Sequence, residues 1–249
     1  MWLLPGDFPL SDARVSSPEA QKLGRLLSCN QRTAGRRVYD RAMQGPFSDV
    51  AALILAGGKS TRMGADKAFV TLGGQTLLER ALNLARSVST DVRIVGSAEK
   101  FARFAPVVED IFHDCGPLAG IHAGLRGSLA ELNLMLAVDI PFVAPEFLRY
   151  LITRARNSTA AAIVPRPREW QPLCAVYRRQ FADPAETALR GGRYKIASLF
   201  NAVATEEISE NELETAGFSV AMFRNLNTQE ELADADEGLS KTKIVRAKS

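Results

Sequence analysis

Ala51-Ala52-Leu53-Ile54-Leu55-Ala56-Gly57-Gly58-Lys59-Ser60-Thr61-Arg62-Met63-Gly64-Ala65-Asp66-Lys67 opens with an unbroken apolar run and passes directly into a glycine-rich turn. A short apolar run bounded by turn residues suits a strand covered on both faces, as strands inside parallel sheets are. Downstream, Thr76 to Val88 carries apolar residues at 77, 78, 81, 82, 84, 85 and 88, the stripe of an amphipathic helix. Thr76 with Glu79 three residues on predicts a capping box at its start. Val92 to Val95 and Val107-Val108 read as strands, Pro117 to Leu129 as a helix and Leu134 to Val138 as a strongly apolar strand. Pro145 to Ala155 predicts a helix with proline in its first turn, followed by strands over Ala160 to Val164 and Leu173 to Tyr177.

Strands separated by helices imply parallel pairing with helices on both faces. The expected fold class is therefore α/β: a three-layer α/β/α sandwich with a mostly parallel, Rossmann-like sheet. Ligands of such sheets bind beyond the carboxyl ends of the strands, so the residues that follow each apolar run carry the functional reading. After the first strand, Gly57 and Gly58 let backbone N–H groups turn toward a ligand without a Cβ in the way. Arg62 and Lys67 follow, one able to grip phosphate oxygens with two donors, the other a point charge. Gly58-Lys59-Ser60 mimics the end of a Walker A loop, but that motif's first glycine would fall on Leu53, within the strand. The GxGxxG spacing of dinucleotide folds is also missing. Two aspartates close apolar runs: Asp110 after Val107-Val108-Glu109, and Asp139 after Leu134 to Val138. Asp139 suits a magnesium ligand, because that ion takes one or two carboxylates together with substrate phosphates. A turn aspartate capping the next segment is the alternative.

Leu-Ala-Gly-Gly-x-Ser-x-Arg-Met-Gly-x-Asp-Lys, from Leu55 to Lys67, resembles the signature loop of the molybdenum cofactor guanylyltransferases. That resemblance implies that Leu55, Ala56 and Gly57 hold nucleotide through the backbone, with Lys67 as the phosphate cation; Gly58 and Arg62 join them as candidates on the loop's own chemistry. Ala137-Val138-Asp139-Ile140-Pro141-Phe142 is similar to the family segment whose aspartate binds Mg²⁺. Val108-Glu109-Asp110, followed by Gly116 to Ile121, resembles the segment whose aspartate contacts the guanine nucleotide. Asn225-Leu226-Asn227-Thr228 is similar to a later family segment, with Gln229 where proline is usual, and implies that Asn225 and Asn227 face the acceptor. Two positions depart from the pattern. Val95-Gly96-Ser97 stands where some members carry a nucleotide-binding asparagine, and Trp170-Gln171-Pro172-Leu173 replaces a His-Pro segment. Arg166 and Arg168, just upstream, read either as acceptor-phosphate ligands or as a solvated loop. The resemblance covers Leu55 to Leu232.

The implied reaction moves GMP from GTP onto molybdopterin or its molybdenum form, with Mg²⁺ as cofactor and pyrophosphate as the second product. Implied partners are molybdenum-insertion proteins and apo-molybdoenzymes or their chaperones. Two alternatives stay open at this point: the same chemistry with CTP or a sugar-phosphate acceptor, and a non-catalytic nucleotide-binding protein that delivers cofactor.

Composition excludes other classes. The 249 residues are 46 % hydrophobic and 24 % charged, which suits a soluble protein with one sizeable core. A net charge of +3 points to neither nucleic acid nor a membrane surface as partner. Met1-Trp2-Leu3-Leu4-Pro5 starts like a targeting peptide, but Asp7 and Asp12 break the pattern. Cys29, Cys115 and Cys174 form neither a disulfide framework nor a CxxC site, and the expected location is the cytoplasm. His113 and His122 have no ligand-spaced partners for zinc. Residues 1–47 read as a flexible extension, 48–236 as the nucleotidyltransferase domain and 237–249 as a disordered tail. Phe223 to Leu226 reads as a strand, and Thr228 with Glu231 as the capped start of a helix.

Overall fold

The computed structural model describes residues 45–57, 66–226, 228 and 230–236. The expectations for residues 1–44, for Gly58, Arg62 and Asn227, and for the tail after Asp236 lie outside the described residues. The chain runs β1 (Phe47–Leu55), a small hairpin of β2 (Thr71–Leu72) and β3 (Gln75–Thr76), α1 (Leu77–Arg86), β4 (Ser89–Val95) and α2 (Ala98–Phe101). It continues through β5 (Val107–Val108), α3 (Pro117–Gly127), β6 (Leu132–Ala137) and α4 (Pro145–Arg156). The last elements are β7 (Ala162–Arg166), β8 (Cys174–Arg178), α5 (Ala182–Arg190), β9 (Thr205–Ser209) and α6 (Glu210–Thr215).

The main sheet has the order β5-β4-β1-β6-β8-β7-β9. β1 lies inside it between β4 and β6, buried from Val50 to Leu55, with Leu53 level with Arg93 on β4 and Met135 on β6. Every neighbouring pair is parallel except the two that involve β8. The exception has a local cause. A parallel return needs a crossover of roughly a dozen residues or more, and the link 167–173 is too short for one. β8 therefore folds back against β7 and pairs on its other side with β6. Six strands still direct their carboxyl ends to one edge, as the expected sandwich requires.

Helices cover both faces. The predicted capping box opens α1: the Glu79 N–H donates to Thr76 Oγ1 at 3.2 Å, and the Thr76 N–H donates to Glu79 Oε2 at 2.8 Å. α4 lies beside α1, joined where Arg149 Nη2 donates to the Ser87 carbonyl at 2.6 Å. α3 and α5 occupy the opposite face, sharing a core with Tyr177 and Phe181. The two-residue period of β6 separates the layers: Met135 enters the α3–α5 core, while Leu136 lines a cavity of about 180 Å³ with Leu77, Ala81 and Leu84 of α1. α3 packs close to the sheet because Gly120 and Gly124 face it. A Cβ at Gly124 would lie 2.9 Å from Leu53 Cδ1, and one at Gly120 would lie 3.1 Å from Leu55 Cδ2.

Two C-terminal features differ from expectation. Phe223 to Leu226 is not a strand: Val220–Phe223 forms a 3₁₀ turn, and residues 224–226 are irregular. Phe223 packs edge-on against Phe147 of α4, with ring centroids 5.4 Å apart, so its apolar character serves helix packing. β9 was not anticipated, because only Ile208 among its residues is buried, as befits an edge strand. The capping bonds expected at Thr228 are present, with the Glu231 N–H donating to Thr228 Oγ1 at 3.1 Å and the Thr228 N–H to Glu231 Oε2 at 3.2 Å. No helix among the described residues is long and apolar enough to cross a membrane.

Candidate active site

Parallel order brings the ends of β5, β4, β1 and β6 side by side. Backbone bonds extend the ladder one step beyond the strands: the Ala56 N–H donates to the Val95 carbonyl (3.1 Å), and the Gly96 N–H donates to the Val108 carbonyl (3.0 Å). Leu55, Ala56 and Gly57 are thereby fixed at the edge. Gly57 is exposed, and a Cβ there would lie 3.7 Å from Gly96 Cα, so the two turns pass in contact.

The chain re-enters this edge as a 3₁₀ turn, Lys67–Phe69, capped by Asp66, whose Oδ1 accepts the Ala68 N–H at 3.2 Å. The turn aims Lys67 at β6. Lys67 Nζ donates to Asp139 Oδ2 at 3.3 Å, with the two side chains 20 % and 25 % exposed. A cation and a carboxylate from distant parts of the sequence thus meet, both open to a charged ligand. The Asp139 carbonyl in turn accepts the Leu226 N–H at 3.0 Å, which draws the C-terminal segment to the same strand end. Asn225, next to Leu226, is exposed there.

Asp110 follows β5 on the same edge and has a different environment. Its Oδ1 is buried without a hydrogen-bond partner among the described residues, 3.7 Å from where a Gly120 Cβ would lie on α3. Burial pushes its carboxyl pKa up, and the neighbouring His113 partly offsets the shift. The loop from Asp110 to α3 turns sharply, with positive φ at Asp114 (58°) and Gly116 (71°). Gly116 begins α3 with no side-chain cap, and Pro117 occupies the first helical turn. Asp110 Oδ1 is thus an acceptor left without a donor among the described residues.

Lys67, Asp139, Leu55, Ala56 and Gly57 gather at adjoining strand ends, and Asp110 stands on the same edge beside α3. Arg166 is engaged elsewhere, its Nη1 3.0 Å from Glu207 Oε2 and its guanidinium 5.0 Å from the Trp170 ring centroid. Two contacts here have no counterpart among the sequence expectations: Glu109 Oε1 accepts the Ala98 N–H at 2.9 Å, and Asp66 makes a cap. The Asp66-Lys67-Ala68 order carried the second signal, since aspartate two residues before a backbone donor is a common N-cap.

Sheet direction and strand-end chemistry together mark an α/β protein whose ligand edge lies beyond the carboxyl ends of its strands. Comparison with known proteins gives the family: the model described as a MobA-like NTP transferase domain matches residues 52–206. The chain belongs to the MobA-like NTP transferase family and is a nucleotidyltransferase. It is 32 % identical over 198 residues to a molybdenum cofactor guanylyltransferase of Desulfosudis oleivorans, covering 78 % of this chain and 98 % of the relative. A probable molybdenum cofactor guanylyltransferase of Pelotomaculum thermopropionicum is 34 % identical over 186 residues, covering 74 % and 90 % of the two chains. The crystal structure of molybdopterin-guanine dinucleotide biosynthesis protein A from Archaeoglobus fulgidus aligns with a TM-score of 0.69 at 30 % identity, over 77 % of this chain and 99 % of that one. A 4-diphosphocytidyl-2C-methyl-D-erythritol synthase from Anaerococcus prevotii shares the fold alone, with a TM-score of 0.59 at 15 % identity over 78 % and 96 %.

Proposed function

We propose that this nucleotidyltransferase takes GMP from GTP and places it on the terminal phosphate of molybdopterin, or of its molybdenum form. The products are molybdopterin guanine dinucleotide and pyrophosphate. The observation that carries the reading is the 3.3 Å contact of Lys67, on its 3₁₀ turn, with Asp139 just beyond the end of β6. The names carried by relatives at 32 % and 34 % identity support the choice of donor and acceptor.

In the proposed reaction an acceptor phosphate oxygen attacks the α-phosphorus in line. A new P–O bond forms as the bond from the α-phosphorus to the β-phosphate's bridging oxygen breaks, and pyrophosphate departs with that electron pair. The attacking phosphate is already ionised near neutral pH, so no general base is required. Catalysis then consists of positioning and charge compensation. Lys67 and Arg62 would balance the charge that grows on the departing pyrophosphate, and the backbone of Leu55 to Gly58 would hold the nucleotide. Asp139 would hold a magnesium ion together with the nucleotide phosphates; one accessible, anionic oxygen donor at a strand end suits that ion. When bound, the ion supplies charge neutralisation to the phosphates.

Base choice falls to Asp110. Guanine presents N1–H and N2–H₂ donors to the carboxylate, whereas adenine presents an acceptor at N1 and would be repelled. Asn225 and Asn227, able both to donate and to accept, are assigned to the acceptor. The enzyme would act in the cytoplasm, between molybdenum-insertion proteins and apo-molybdoenzymes or their chaperones.

The test supplies purified full-length protein with Mg²⁺, molybdopterin and each α-labelled nucleoside triphosphate in turn. Label in a pterin dinucleotide with GTP alone is the expected result. Label from CTP alone would keep the chemistry and overturn the assignment of Asp110. Binding without transfer from any of the four would reject the reaction.

A further inference from the structure

We propose that Lys100, on α2 and outside every sequence motif of the family resemblance, is a positioning residue for Lys67. The proposal rests on the reading of Lys67 as the phosphate cation. Asp66 stands between the two lysines and serves both. Its Oδ1 accepts the Ala68 N–H at 3.2 Å and so closes the 3₁₀ turn that starts at Lys67, while its Oδ2 lies 2.8 Å from Lys100 Nζ. A second contact reinforces the first. Phe69, in the same turn, places its ring centroid 5.8 Å from Phe101, the last residue of α2, and 6.0 Å from Phe104 just beyond it. α2 is itself held at its start by Glu109, the residue before Asp110, through the 2.9 Å bond to the Ala98 N–H. The helix therefore acts as a backstop that joins the strand end carrying Asp110 to the turn carrying Lys67.

Two physical effects give this backstop a role. A lysine ammonium rides on a flexible stem, so the orientation of the turn decides where it can reach. The charge on Asp66 also needs an answer. Without Lys100, the Asp66 carboxylate would stand beside an anionic substrate and would compete with it for the adjoining Lys67 ammonium. Lys100 both holds the cap and neutralises that charge. Its side chain is 55 % exposed, so the pair adds little to global stability, and its effect belongs to the site.

The experiment compares wild type, Lys100→Ala, Lys100→Arg, Lys67→Ala and the Lys67→Ala/Lys100→Ala double variant, all full length. Each is assayed for GMP transfer from GTP to molybdopterin, with thermal melts to compare folding. Lys100→Ala is expected to lose roughly three- to tenfold in kcat, with KM for GTP changed by less than about twofold, because misplaced charge matters most as the leaving group forms. Lys100→Arg should restore most of that loss, and Lys100→Ala should add less than about twofold in the Lys67→Ala background, because both changes act through one ammonium. Wild-type kcat in Lys100→Ala would overturn the proposal. A double variant whose loss equals the product of the single losses would also overturn it, since Lys100 would then act independently of Lys67. If Lys67→Ala itself turns over normally, the reading of Lys67 fails, a result distinct from either.

Discussion

Asp110 and Asp139 are both strand-end aspartates, and their surroundings suit them to different tasks. Asp139 faces the Lys67 ammonium at 3.3 Å, whereas Asp110 Oδ1 is buried with no donor among the described residues. A buried acceptor without a donor costs stability in the free protein and becomes favourable when a ligand supplies the donor. Burial, partly offset by His113, raises the Asp110 pKa, so the folded chain holds this proton more tightly than the unfolded chain. This group's contribution to stability is therefore most favourable at acid pH and declines as pH rises through the raised folded value. Asp110→Asn carries no charge to bury. It should be more stable than wild type at pH 7 by about 1 kcal/mol, a rise of roughly 2–4 °C in Tm, with the gap shrinking as pH falls through the raised folded value and largely gone below about pH 4. Its affinity for GTP should fall at least about tenfold, since the acceptor for the base N–H groups is halved. A variant that melts like wild type at both pH values would remove the idea of a stored cost. Asp139→Asn should behave in the opposite way, with little gain in stability and a loss of roughly 100-fold in kcat.

Among the elements, α3 has the tightest fit. Gly124 faces Leu53 and Val95 so closely that a Cβ would lie 2.9 Å and 3.2 Å from their methyl carbons, and both residues are buried. Gly124→Val should destabilise the fold by about 1–3 kcal/mol, read as a lower urea midpoint with an unchanged slope, because the core around it is already filled. Gly124→Ala should cost less, because helix propensity favours alanine while Leu53 gives way. Equal midpoints for Gly124→Val and wild type would mean that the helix can lift from the sheet freely. Elements of this kind differ in how far the sequence announces them. β1, β6 and α1 were legible because burial and capping are written locally, in the run Ala51 to Leu55 and in the Thr76–Glu79 pair. β9 was hidden because its edge position leaves Glu206 and Glu207 in the strand, and only the neighbouring β7 makes them pair. Phe223 misled because an apolar residue looks the same whether it joins a sheet or, as here, packs on Phe147. In the site, the types Lys67 and Asp139 were readable. Their contact, spanning 72 positions, and the hold of Lys100 on Asp66 depend on strand order and could not be read.

At the scale of the whole molecule, the layer of α3 and α5 is joined by a charged cluster around one buried histidine. His122 of α3 is 1 % exposed, with Nε2 3.4 Å from Glu186 Oε2 and its ring edge-on to Phe112 at 5.2 Å. Glu186 of α5 also receives Arg126 at 2.7 Å and Arg190 at 2.8 Å, and Arg126 reaches Asp183. Burial lowers the His122 pKa below its ordinary 6.5; Glu186 partly counters that shift, and Arg126 and Arg190 add to it. Arg190 and Arg126 hold Glu186 down at about 2. The two groups give acid sensitivity in separate windows. Just below pH 6.5 the unfolded chain takes up a proton on His122 that the folded chain refuses, so stability falls as pH drops toward the lowered folded value. Glu186 contributes stability above its ordinary 4.5, and that stability is lost as pH falls through the window down to about 2. Urea midpoints measured from pH 8 to pH 3 should therefore decline in two stages. His122→Gln should flatten the first stage and leave the second, and Glu186→Gln should blunt the second. An unchanged slope between pH 6.5 and 5 in His122→Gln would assign the first stage to other groups. The order has a consequence for the site, because α3 also carries Gly120 beside Asp110. Acid should loosen the nucleotide edge before the sheet melts, so in wild type GTP affinity should weaken below about pH 6.5 while the strands still resist hydrogen exchange, and in His122→Gln that weakening should be delayed.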